Sequence, residues 1–238
     1  GAWRKKHEHL SFDIETGPAP GGDATYEPDA DVDADGEGGG KRKRKKERKS
    51  TALDPLRAVF RMIGIGTAEE VYVVQLLGID HVTTFYDYAS EQRMRGVIGR
   101  FLSDPTIMKS GWNLGYDGPC VARPDVFGAE TVNRIDGIFL HRLVASELPH
   151  TLAYATSMEV DTDPWKELHA ATETTDDRML ASYCSDDVAH THLVIDRIAP
   201  RVVARDQAHL VVPDHEIGRF CEELHRGGMW VNQARVKE

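Results

Sequence analysis

LSFDIETGPAP, residues 10–20, decides how this chain is read. Leu10, Phe12 and Ile14 alternate with polar neighbours and predict a half-buried strand. Asp13 and Glu15 stand two residues apart on that strand, so they project together from its other face. Taken alone, two such acids suit the solvated side of an antiparallel strand as well as they suit a site. The rest of the chain has to choose between these readings.

Working outward, FRMIGIG (60–66) and EVYVVQLL (70–77) are rich in β-branched and aromatic residues and predict two strands joined by a short turn. Between Ala89 and Asp104, Met94, Val97, Ile98, Phe101 and Leu102 fall at the spacing of a helix buried on one face, and Asp104-Pro105 ends it. TIMKS (106–110) predicts another strand, and GWNLGYD (111–117) turns into a helix after it. Residues 136–146 and 151–158 read as helices. Residues 176–198 read as the clearest long helix, with acids at its start and Pro200 just past its end. A last helix, 214–226, carries Ile217, Phe220 and Leu224 on one face and stops at Gly227-Gly228. Strands first and helices interleaved later predict an α/β domain on one mixed sheet.

At 238 residues and 40% hydrophobic content the chain can bury a core, and no apolar run approaches the roughly 20 residues that span a bilayer. No membrane association and no signal peptide are expected. Cys120, Cys184 and Cys221 are odd in number, widely spaced and without a CxxC pair, which fits small core residues in a reducing cytoplasm better than a disulfide framework or a zinc site. The net charge of −10 is unevenly placed: residues 23–37 hold seven acids, and KRKRKKERK (41–49) holds eight bases and one acid. Those blocks cancel, so the remainder carries the whole −10 and needs bound cations or a local basic patch to accept nucleic acid. Residues 17–40, rich in Gly, Pro and Asp, read as a disordered or weakly ordered insertion after the first strand. The basic run that follows is either a solvated arm or a contact to DNA phosphates. DADVDADG imitates a calcium loop but places Arg42 where the bidentate glutamate belongs, which excludes it.

Four acids and a tyrosine remain. Asp13 and Glu15 share a strand face; Asn113, Tyr116 and Asp117 lie in GWNLGYD; Tyr183 and Asp187, four apart on the long helix, share a helix face. Asp186 does not fit the Y-x3-D spacing and reads as solvated. His190 and His192, two apart on that helix, do not share a face and read as surface or packing residues rather than ligands. Converging carboxylates repel unless a cation holds them, and hard oxygen ligands select Mg²⁺ or Mn²⁺. Two such ions about 3.5–4 Å apart can clamp the attacking and leaving oxygens of a phosphoryl transfer.

In order and spacing, FDIET, NLGYD and Tyr183 to Asp187 resemble the three motifs of DEDD-superfamily 3′→5′ exonucleases of the Y-x3-D subgroup, over roughly residues 8–198. The resemblance implies a ribonuclease H-like mixed β-sheet flanked by helices. It implies that Asp13, Glu15 and Asp187 hold one ion, that Asp13 bridges to a second near Asp117, and that Tyr183 positions the attacking water. Thr16, Asn113 and Tyr116 would hold the terminal nucleotide. The product would be a nucleoside 5′-monophosphate.

The tail, 214–238, is similar to the opening of the polymerase domain in family A DNA polymerases, and PHTLAYATS (149–157) to a segment of phage-type members. That resemblance implies an exonuclease domain over 1–205, with 17–50 as its acidic and basic insertion, and the start of a polymerase domain over 206–238. The expected partners are the 3′ end of single-stranded DNA, at a primer terminus, and a polymerase domain in cis beyond residue 238. The expected place is the cytoplasm, that of a bacterial host if phage-encoded. A free-standing exonuclease acting on RNA and an inactive nucleic-acid-binding module are the alternatives. One departure from the family stands out: Gly17-Pro18 leads into the insertion, where the family continues into a short loop that packs on the terminal base.

Overall fold

The computed structural model describes residues 9–19, 51–166 and 176–228. Most of the insertion, the basic run and the last ten residues of the tail lie outside the described residues.

Five strands form one sheet: β1 (His9–Gly17), β2 (Val59–Gly66), β3 (Val71–Gln75), β4 (Met108–Gly111) and β5 (Arg134–Asp136). Their order is β3-β2-β1-β4-β5. β1, β2 and β3 are antiparallel neighbours, whereas β4 and β5 run parallel to β1, which makes the sheet mixed as predicted. Among the described residues six α-helices flank it: α1 (Tyr88–Leu102), α2 (Leu114–Val121), α3 (Gly137–Val144), α4 (Leu152–Glu159), α5 (Asp177–Ala204) and α6 (Ala208–Gly227). Side chains of Asp87, Asp136, Thr151 and Asp176 cap α1, α3, α4 and α5 by accepting from backbone N–H groups of the first turn.

The alternation along β1 divides the molecule. Phe12 and Ile14 enter a core with Ile98 and Leu102 of α1 and Leu114 and Val121 of α2. The odd-numbered side chains face α5 instead. A second core, with Trp112, Leu140, Leu152, Val194, Ile195 and Ile198, ties α3, α4 and α5 together. β4 pairs with β1 only over His9–Ser11, so β1 outruns its parallel neighbour and α2 begins beside the exposed strand edge.

Three boundaries differ from the sequence reading. β5 is three residues long, too short to show alternation, and the sequence reading has no strand there. Pro200 lies inside α5, which continues to Ala204, because Ile198 and Val202 on either side of it are buried in the second core and carry the helix past the missing N–H. The last helix begins at Ala208, with Pro213 inside it. Its polar face docks on the sheet domain: the Arg134 guanidinium donates to Glu222 at 2.5 Å, and the Asp136 N–H donates to His215 Nε2 at 2.7 Å. Ile217, Phe220 and Leu224 do share a face, but it is 44–62% exposed.

Candidate active site

Strand and helix repeats match where β1 meets α5. Strand residues two apart are separated by about 6.6 Å, and helix residues four apart by about 6 Å. The odd face of β1 therefore runs in step with the Cys184, Val188, His192 and Asp196 stripe of α5. Cys184 Sγ lies 3.8 Å from the Asp13 carbonyl oxygen, and the Ser11 hydroxyl lies 3.2 Å from His192 Nδ1. Gly64 pairs with Asp13 and permits this approach: a Cβ there would stand 2.9 Å from Val188 Cγ2 and 3.0 Å from Cys184 Sγ.

One end of this seam gathers the acids. Asp13 and Glu15 come from β1, Asp117 from the first turn of α2, and Asp187 from α5. The Ile14 N–H, on the strand edge that β4 leaves unpaired, donates to the Asp117 carboxylate and turns it inward. Burial holds the Asp13 carboxyl well above the ordinary carboxylate range, reinforced by Asp117, Asp187 and Glu15 in turn. Burial and then Asp187 push Glu15 up to about 8; burial and then Asp136 do the same to Asp117. Asp187 is the α5 carboxylate whose charge acts on the other three acids.

Among the described residues, the cation nearest this cluster is one the sequence did not single out. Lys166 Nζ donates to Asp187 Oδ2 at 2.6 Å and to the Tyr183 hydroxyl at 2.7 Å, while Trp165 Nε1 donates to Asp187 Oδ1 at 2.7 Å. Burial opposes the charge on Lys166, but Asp187 and Tyr183 outweigh it and hold the ammonium firmly protonated. Burial and then Asp187 push the Tyr183 phenol up to about 12, so it stays a neutral donor and acceptor. His190 stacks on Trp165 at 3.9 Å and supports it, a packing role as expected. No pattern around PWK marks these two residues, since their partners lie on a helix about twenty positions later.

Cys184 was read only as a core residue, yet its Sγ and one oxygen each of Asp13 and Glu15 all lie within 4.8 Å of one another. Burial, then Asp13 and Glu15, hold its thiol well above the ordinary range, so in the metal-free protein it is a neutral thiol. Four carboxylates with no thiolate form a hard oxygen donor set, and that fits Mg²⁺ or Mn²⁺. Cys221, by contrast, is exposed rather than part of the core.

The expected substrate residues lie along one rim of this cluster. The Thr16 and Tyr116 hydroxyls are 2.6 Å apart, and the Tyr116 hydroxyl donates to the Ala52 carbonyl. Ala19 N–H donates to Thr51 Oγ1 at 2.8 Å, so the chain leaves and re-enters at adjacent points on either side of residues 20–50. Asn113 occupies a left-handed turn (φ 71°) into α2, fixed where its N–H and that of Leu114 donate to Asp136. A larger cavity of about 1020 Å³ lies between α1 and residues 124–129 and is lined by none of the acids.

Solved structures resemble the fold of this chain along most of its length. NrnC of Brucella melitensis, solved with bound Mg²⁺, matches with a TM-score of 0.59 at 14% identity over 94% of this chain and 87% of that one. The same protein bound to pGG matches with a TM-score of 0.58 at 14% identity and the same coverage. Escherichia coli RNase D, an exoribonuclease involved in structured RNA processing, matches with a TM-score of 0.57 at 13% identity over 93% of this chain and 46% of its own. The chain has the fold of these nucleases. No protein-family model and no curated protein sequence matches it. Among the described residues no helix is long and apolar enough to cross a membrane.

Proposed function

We propose that this chain is a divalent-metal-dependent 3′→5′ exonuclease that removes nucleotides from single-stranded ends, with RNA as its main substrate class. The observation that carries this reading is the convergence of Asp13, Glu15, Asp117 and Asp187, with Tyr183 beside them. The choice of RNA rests on the neighbours, one an exoribonuclease and another solved with pGG.

Asp13, Glu15 and Asp187 would hold one Mg²⁺ or Mn²⁺, and Asp13 with Asp117 a second. Such ions offset charge on the phosphate and acidify water, which is the chemistry they supply when bound. The Tyr183 hydroxyl, kept neutral by its buried position, would orient the attacking water in line with the last phosphodiester. Thr16, Asn113 and Tyr116 would grip the terminal nucleotide along the β1 and α2 rim. A 5′-labelled single strand of RNA, and one of DNA, incubated with Mg²⁺ should ladder from the 3′ end, RNA faster. Both Asp13→Ala and Asp187→Ala should abolish the ladder; shortening that survives either substitution sinks the reading.

A second reading keeps the same chemistry but acts on DNA as the proofreading part of a family A polymerase, with residues 206–238 opening the next domain. Its one structural support is the uncovered face of Ile217, Phe220 and Leu224 on α6, which a following domain would bury. Preference for DNA in the same assay would favour it over the RNA reading.

A further inference from the structure

The other end of the β1–α5 seam carries a second constellation, about 13 Å along the strand from Asp13. His9 and His192 stack with ring centroids 4.3 Å apart, and both rings turn a nitrogen to one exposed carboxylate. His9 Nδ1 stands 3.4 Å from Asp196 Oδ1, and His192 Nε2 stands 3.5 Å from Asp196 Oδ2. One ligand atom of each residue lies within 4.8 Å of the other two. The sequence reading set His192 aside because His190 cannot share its face. Its partner is instead His9, from the strand.

We propose that His9, His192 and Asp196 form a binding site for a divalent transition-metal ion of the zinc class, separate from the acidic site. Two features of the geometry carry this. The nitrogen-to-oxygen distances exceed those of a good hydrogen bond, about 2.7–3.2 Å. They match the edge of a tetrahedral zinc site, where ligands at about 2.0–2.1 Å from the metal stand about 3.3 Å apart. The second feature is the support behind the rings. His9 Nε2 lies 2.7 Å from the Ser110 hydroxyl, His192 Nδ1 lies 3.2 Å from the Ser11 hydroxyl, and the two serine oxygens are 2.6 Å apart and fully buried. Each ring thus has one nitrogen held from behind and the other turned toward the Asp196 carboxylate, and hydrogen-bond partners behind the ring are what support histidine ligands of metals. Imidazole donors select zinc-like ions, whereas the acidic site selects Mg²⁺ or Mn²⁺. Filled, the site would clamp the start of β1 to α5 and fix the seam along which Asp13 and Glu15 meet Asp187.

The test uses the full chain, stripped of metal and then equilibrated with Zn²⁺ in excess Mg²⁺, with bound zinc counted after gel filtration. Wild type and Asp13→Asn should each retain one zinc per chain and gain thermal stability from it. Asp196→Asn, a change at an exposed position that leaves the fold intact, and His9→Gln should both lose that zinc. Ser110→Ala should weaken binding about 10- to 100-fold. A wild type that retains no zinc, or zinc retained by either Asp196→Asn or His9→Gln, overturns the proposal. Because the readout is zinc bound rather than nucleotide released, the result does not depend on the nuclease reading.

Discussion

Replacing Lys166 with methionine isolates what the ammonium does among the acids. At 2.6 Å and an effective dielectric of about 20, its attraction to Asp187 is about 6 kcal/mol before desolvation. Breaking a buried pair leaves the partner uncompensated and costs about 3–5 kcal/mol. The Lys166 side chain is 31% exposed, which pulls that figure toward the small values of surface pairs, and Asp187 keeps its bond from Trp165. A net loss of about 2 kcal/mol follows for the metal-free protein. With a urea slope of about 2 kcal/mol/M the unfolding midpoint should drop by roughly 1 M in EDTA. In saturating Mg²⁺ the drop should shrink to less than half, because a bound cation neutralises Asp187 in place of the lysine. The same substitution removes a positive charge that competes with the ion, so Mn²⁺ should bind several-fold more tightly by calorimetry. An equal loss of stability in EDTA and in Mg²⁺, or weaker Mn²⁺ binding, would refute the view that Lys166 and the metal share one negative cluster.

Raised carboxyl pKa values carry a sign of their own. Glu15 and Asp117 titrate near 8 in the fold and near 4 when unfolded, so the folded state holds more protons between those values and loses stability as pH rises through that window. The stabilisation conferred by Mg²⁺ over EDTA should therefore grow from pH 5 to pH 8.5; midpoints that run parallel across that range contradict it. Gly64→Val should push α5 off the sheet, costing about 1–3 kcal/mol of overpacking and lowering nuclease activity by more than the unfolded fraction accounts for, since Asp187 and Tyr183 ride on α5. Tyr116→Phe removes the bonds to Thr16 and Ala52 that close the rim, so KM for a single strand should rise several-fold with little change in kcat. If kcat falls and KM holds, the rim is not a binding element.

The fold and the acidic cluster were legible in the sequence for a physical reason. Asp13 and Glu15 sit on a strand whose alternation is unbroken, and Tyr183 and Asp187 on a helix whose period is regular, so local geometry already fixed which way each pair points. What stayed hidden depends on contacts between segments far apart in the chain. β5 is three residues long and has no room to show a period. Lys166 lies in a polar stretch and gains its place only from a helix that starts at Asp177. The helix at Pro200 continues because buried Ile198 and Val202 outweigh one lost backbone bond, a balance that local propensity cannot weigh.

The seam itself shows why the contact between His9 and His192 stayed hidden while the pairing of the acids did not. A helix face is judged against its own neighbours, and on that test His190 and His192 do not come together. The relevant partner is set by a different repeat: two residues along β1 for every four along α5. Once Asp13 is aligned with Cys184, two such steps bring His9 level with His192, whose rings stack at 4.3 Å, and Asp196 stands one helix step further on. Asp13 and Glu15 at one end and His9 and Ser11 at the other are then parts of a single polar strand face, whose two ends differ in donor chemistry. Hard oxygens gather at one end and imidazole nitrogens at the other, so two classes of cation can be told apart along one strand.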